Sequence, residues 1–159
     1  MLSRTAAILM MIDFQGNLAR AMVDKENLFA NNVKLIRGFR ALDLPMMITE
    51  QTPEKLGPTI QQLSGELGGL KPIAKETFSC WADPSFRDQL ESLTRRHVVL
   101  TGIECHICVY QTALDLMQNG YSVHLVADAV SSRTPENREV GIQAIKSAGA
   151  HITSTEMVL

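Results

Sequence analysis

The chain has 159 residues, 45% hydrophobic and 20% charged, with 10 Gly, 6 Pro, three Cys and a formal net charge of −2. A chain of this length buries roughly 70% of the surface its unfolded form exposes, so the core can stand without disulfides or a structural metal. The ordinary balance of apolar and charged residues argues against disorder, collagen-like repeats and a coiled coil. Lys and Arg are scattered, which argues against nucleic acid or an anionic membrane surface and leaves a small molecule as the expected partner.

An odd number of cysteines does not suit a secreted disulfide framework. After Met1-Leu2-Ser3-Arg4 the apolar run Ala6 to Ile12 is short and ends in Asp13 instead of a small-residue cleavage site, so no export signal is read. No uninterrupted apolar stretch of about 20 residues occurs, so no membrane span is expected. A reducing, cytoplasmic setting with free thiols follows as the expectation.

Short apolar runs alternate with stretches of helical periodicity, which predicts an α/β domain over residues 1–159: three layers, α/β/α and Rossmann-like, around a mainly parallel sheet of about six strands. Ala6 to Ile12 reads as a central strand covered on both faces. Leu28, Leu35, Ile36, Phe39 and Leu42 recur at helical spacing from Glu26 to Leu42, and Pro45 to Thr49 reads as the second strand. Gln51 to Gly69, rich in Pro, Gly and Gln, is expected to be a loop with a short helix. Lys71 to Lys75 is a short strand, and Asp83-Pro84 is a cap followed by Pro at the first helical position. His97 to Thr101 is a strand leading into Gly102-Ile103-Glu104-Cys105-His106-Ile107-Cys108. Ile107, Tyr110, Leu114 and Met117 then mark a helix face ended by Gly120. Ser122 to Ala127, a helix opened by Thr134-Pro135 and ending near Gly149, and a last strand from Ala150 to Thr153 complete the chain.

Ligands of an open parallel sheet bind outside the carboxyl ends of its strands, a rule that selects Asp13, Lys75 and Cys108. The three types suit one another. A thiolate is the nucleophile, a helix N-terminus or a cation such as Lys75 favours it, and Asp13 can take and return a proton. The turn before the helix offers backbone N–H groups for an oxyanion, which makes acyl transfer the natural reaction. Bland readings stand beside this one: Asp13 as a turn or cap residue, and Cys80, next to Trp81, as a small hydrophobe.

Cys105 and Cys108 also form a C-x-x-C. A zinc site lacks its second pair, since Cys80, His97, His124 and His151 are isolated, and no metal is expected. A thioredoxin-like redox pair is an alternative, although such motifs come early in their domain and this one lies in the fourth strand-helix unit. A non-catalytic binding protein using the same pocket is another. His124 and His151 read as core or edge residues of strands, and no phosphate-binding glycine loop is present, so no cofactor is expected.

Val98 to Leu116, continuing through Gly120-Tyr121 to Asp128-Ala129, resembles the nucleophile segment of the isochorismatase-like cysteine hydrolases. Ile12-Asp13-Phe14-Gln15 is similar to that family's first-strand motif, and Lys75-Glu76-Thr77-Phe78-Ser79 to its lysine motif. The resemblance implies a catalytic triad of Asp13, Lys75 and Cys108 and a homo-oligomer. It also implies a non-proline cis peptide at Ile103-Glu104 that turns the Glu104 and Cys108 N–H groups toward one point as the oxyanion hole. Nicotinamidases of the family carry a metal-binding Asp and His cluster after the second strand, whereas Thr49 to Lys55 here holds no histidine. Isochorismate hydrolases generally lack the cysteine. Both departures leave metal-free hydrolysis of a small amide, or a related C–N or ester bond, as the expectation, with Phe14, Phe78, Trp81 and Tyr110 as candidate pocket walls.

Overall fold

All six residues of the first apolar run, Ala7–Ile12 (β1), are buried, as a strand packed on both faces requires. The computed structural model describes residues 2–159; Met1, read above within the N-terminal segment, lies outside the described residues. β1 pairs on one side with Met46–Gln51 (β2) and on the other with His97–Gly102 (β4). Ile73–Lys75 (β3) extends the sheet beyond β2, and Ser122–Val130 (β5) and His151–Thr153 (β6) extend it beyond β4. The order is β3-β2-β1-β4-β5-β6 and every pairing is parallel, so the sheet is wholly parallel where a mainly parallel one was expected.

Side chains alternate across β1 and divide the core in two. Ile8, Met10 and Ile12 join the core beneath Pro84–Ser92 (α5), Tyr110–Gln118 (α6) and Pro135–Ser147 (α7). Ala7, Leu9 and Met11 join the core beneath Gly16–Arg20 (α1), Lys25–Ala41 (α2) and Gln61–Ser64 (α4). Helix α2 buries Leu28, Phe29, Asn32, Leu35, Ile36 and Phe39, an i, i+4, i+7, i+8 stripe that faces the sheet. The two cap-then-Pro signals form caps: Asp83 accepts the Phe86 N–H at 3.0 Å, and Thr134 accepts the Asn137 N–H at 3.2 Å.

Three local differences from the sequence reading bear on the site. Strand β2 runs past Thr49 because Glu50 and Gln51 pair with Ala74 and Lys75. The segment from Gln51 to Gly69 holds two short helices, Pro53–Leu56 (α3) and α4, and Glu50 pins it by accepting from both the N–H and the hydroxyl of Thr59 at 2.7 Å. Cys108 does not lie in the first turn of α6. It sits in a separate π-helical turn, Cys105–Val109, in which the Val109 N–H reaches back five residues to the Glu104 carbonyl at 3.3 Å. A last short helix, Thr155–Val158 (α8), is capped by Ser154.

Candidate active site

Asp13 follows β1 directly in a left-handed conformation, φ 57°, which Asp tolerates better than most residues and which starts the turn into α1. Lys75 ends β3, two strands away, and its extended side chain crosses over the end of β2 to place Nζ 2.7 Å from Asp13 Oδ2. Both side chains are shut off from solvent, with exposures of 0% for Lys75 and 1% for Asp13. The ammonium is fully engaged: besides Asp13 it donates to Gln51 Oε1 at 2.7 Å and to the carbonyls of Thr77 at 3.0 Å and Phe78 at 3.3 Å. Burial works against its charge, but Cys80, Asp13 and Cys108, as anions in the alkaline range where a lysine titrates, outweigh burial and hold its pKa above the ordinary lysine value. Asp13 Oδ1 accepts from the Thr49 hydroxyl at 2.8 Å.

Cys108 faces this pair closely enough for both charges to act on its thiol. Burial pushes that thiol up to about 12, the Asp13 carboxylate adds to the rise, and Lys75 opposes it. At neutral pH Cys108 is therefore a thiol. Of the two expected aids to a thiolate, α6 starts only after Cys108, which lies outside its first turn, while Lys75 acts in the expected direction but against the larger effect of burial. Cys108 retains slight exposure, 8%, whereas Cys80 and Cys105 have none.

The turn that carries Cys108 is held from two sides. Glu104 accepts from the Arg133 backbone N–H at 3.0 Å and from its guanidinium at 3.1 Å, and the Cys105 N–H donates to Ser131 at 2.8 Å. The Ile103-Glu104 peptide bond is cis, and among the described residues the Glu104 N–H meets no acceptor. Gly102 lets β4 lie against the end of β1, since a Cβ there would stand 2.6 Å from the Ile12 Cβ.

The remaining candidates separate. Phe78 is 55% exposed, and its carbonyl is tied to Lys75, which keeps it beside the site; Tyr110 is half-buried at the start of α6. Phe14 is a correction, because it is enclosed in the α2-side core. Trp81 is another: its ring stacks edge-on against Tyr121, 5.7 Å between centroids, at the opposite end of β5 from the site. Cys80, read as incidental packing, instead lies within reach of Lys75, with Sγ 3.8 Å from the Thr49 hydroxyl. Cys105 belongs to other surroundings, since its thiol is pushed up to about 12 by burial and responds to Arg138 and Glu139 of α7. The sequence reading also missed Thr49, Gln51 and Gln15. Gln15 is wholly buried, accepts the Gln51 N–H at 2.6 Å and donates to the Gln51 carbonyl at 3.1 Å and the Gly57 carbonyl at 2.7 Å. The available signal was two polar residues at i and i+2 closing an apolar strand, which puts them on one face.

A cavity of about 910 Å3, lined in part by Arg20, Glu50, Leu67 and Lys71, opens on the other face of β2, and none of Asp13, Lys75 or Cys108 lines it. Among the described residues no three His, Cys, Asp or Glu side chains gather as a metal ion requires, and no helix is long and apolar enough to cross a membrane.

The six-stranded, wholly parallel α/β sheet is the fold of a known family, and the chain belongs to it: the Isochorismatase domain model matches residues 7–157. The chain is 36% identical over 159 residues to isochorismatase domain-containing protein 2 of Danio rerio, covering 99% of this chain and 79% of that one. It superposes on a solved structure of MAR1 ribonuclease from Caenorhabditis elegans with a TM-score of 0.90 at 35% identity, covering 98% of this chain and 80% of that one. The YcaC gene product of Escherichia coli, described as an octameric hydrolase of unknown specificity, shares the fold at a TM-score of 0.91 and 22% identity, over 99% of this chain and 79% of that one.

Proposed function

We propose that the chain is a cysteine hydrolase that cleaves a small amide, or a related C–N or ester bond, through an acyl-enzyme on Cys108. The observation that carries this reading is the convergence of a buried Asp13–Lys75 ion pair and the one partly accessible cysteine at a single sheet edge. Because the thiol is protonated at rest, its proton moves as it attacks: Asp13 takes it while Sγ bonds to the carbonyl carbon. The N–H groups of Glu104 and Cys108 receive the oxyanion. Collapse of the tetrahedral adduct breaks the C–N or C–O bond, and Asp13 returns the proton to the leaving group. Water then attacks the thioester and gives its proton to Asp13, and that proton restores the departing Cys108 thiol. Lys75 transfers no proton in this scheme. It holds the Asp13 carboxylate in place between steps.

The test is a panel of p-nitrophenyl acetate and small amides, followed by mass spectrometry of the quenched protein. Wild type and Cys105→Ala are expected to give a burst and an acyl group on Cys108, and Cys108→Ala neither. Turnover that survives Cys108→Ala would sink the reading. A Cys105–Cys108 disulfide formed under mild oxidation, with activity needing both thiols, favours the redox alternative instead. The Caenorhabditis elegans relative carries the name ribonuclease, so a labelled RNA belongs in the same panel. With a net charge of −2 and scattered cations, we expect no cleavage of it.

A further inference from the structure

Building on that hydrolase reading, we infer that Thr49 is a positioning residue for the Asp13 base and that the Cys80 thiol backs it, so that the buried relay Cys80–Thr49–Asp13 fixes the carboxylate for the Cys108 proton. The argument begins with a hydroxyl that the strand does not need. Thr49 is wholly buried and follows Met47 and Ile48 in β2. Its backbone carbonyl accepts the Asp13 N–H at 3.2 Å, a contact any residue would make, and Val would fill the same volume with equal preference for a strand. The hydroxyl must therefore be accounted for by its partners.

Its single proton goes to Asp13 Oδ1 at 2.8 Å, which leaves the oxygen able only to accept. The Cys80 sulfur lies 3.8 Å from that oxygen. Burial pushes the Cys80 thiol up to about 11, so it holds its proton at neutral pH and serves as the donor. Every proton in the relay thus points toward the carboxylate, S–H to O–H to Oδ1, while Lys75 Nζ fixes Oδ2 from the far side. Held by one oxygen, a carboxylate pivots about its contact. Held by both, from β2 and from β3, it keeps a lone pair aimed at Cys108. The Cys80 backbone is anchored in turn, because its N–H donates to the Thr112 hydroxyl of α6 at 3.0 Å.

The experiment reads iodoacetamide modification of Cys108 against pH, which requires no substrate and so stands apart from the acyl-enzyme assay. Thr49→Val is expected to slow modification at neutral pH about tenfold, the worth of one hydrogen bond to a charged group, and to alter the shape of the pH profile. Thr49→Ser restores the hydroxyl and is expected to return the rate to within about threefold of wild type. Cys80→Ala probes the relay from its far end while Thr49 stays in place, with an expected slowing of about threefold that Cys80→Ser reverses. Wild-type rate and profile in Thr49→Val, or in Cys80→Ala should the Val variant fail to fold, overturn the relay. If the variants behave as expected but wild type forms no acyl-enzyme, the relay stands and the hydrolase reading falls.

Discussion

Asp13 and Lys75 are hidden from water together, and the consequence of losing one is greater than the benefit of the pair itself. Lys75→Met strands the Asp13 carboxylate with Thr49 as its remaining side-chain donor in the hydrogen-bond network, and a urea titration is expected to show a loss of about 3–5 kcal/mol. Asp13→Asn combined with Lys75→Met removes both charges. It is expected to recover most of that loss while leaving Cys108 slow to react at neutral pH, a non-additivity that separates folding from chemistry. The high-lying thiol has its own signature. In Asp13→Asn, where the base is gone, Cys108 modification should keep climbing through the alkaline range without levelling near the ordinary cysteine value, because burial still holds the thiol up.

At the level of elements, the nucleophile turn depends on a side chain that α7 lacks. A Cβ on Gly141 would stand 2.8 Å from both the Cys105 carbonyl carbon and the His106 nitrogen, and these are backbone atoms that cannot swing aside. Gly141→Ala is expected to cost about 1–3 kcal/mol in thermal or chemical unfolding and to slow Cys108 modification, since any relaxation must move the turn. Gly141 drew no notice in the sequence, and neither did the π-helical turn it supports, because both depend on how closely two elements approach. Asp13, Lys75 and Cys108 could be brought together from the sequence for the opposite reason: Asp13 follows an apolar run, Lys75 closes one and Cys108 lies in the turn after a third, and parallel strands bring such positions to one edge. Thr49 and Gln51 were obscured by a strand boundary that only pairing with β3 sets. Phe14 and Trp81 were misassigned because nearness in sequence to a site residue does not fix which layer a side chain enters. Cys80 became part of the site only because Lys75 reaches across a strand.

On the scale of the whole molecule, the opposite end of the sheet carries a second titrating group. His97, His124 and His151 form a row across β4, β5 and β6, with ring centroids 5.5 Å and 4.8 Å apart. Burial, then His151 and His97, lower the central His124 from 6.5 to about 4. In that window the unfolded chain binds a proton that the folded one refuses, so stability falls as pH drops from about 6.5 toward 4. Thermal melts across that range should show His124→Phe, which keeps a ring in the stack, losing less stability in acid than wild type; equal losses would remove His124 as the cause. The strand order also divides the site along the chain. β1, β2 and β3 are complete by Lys75, so the acid and its lysine both come from the first 75 residues. Cys108 follows β4, which pairs with the other flank of β1. On the proposed mechanism the base and its ion-pair partner are thus encoded in the first half of the chain and the nucleophile in the second, so a truncation after Lys75 would keep the acid and its lysine and lose the sulfur.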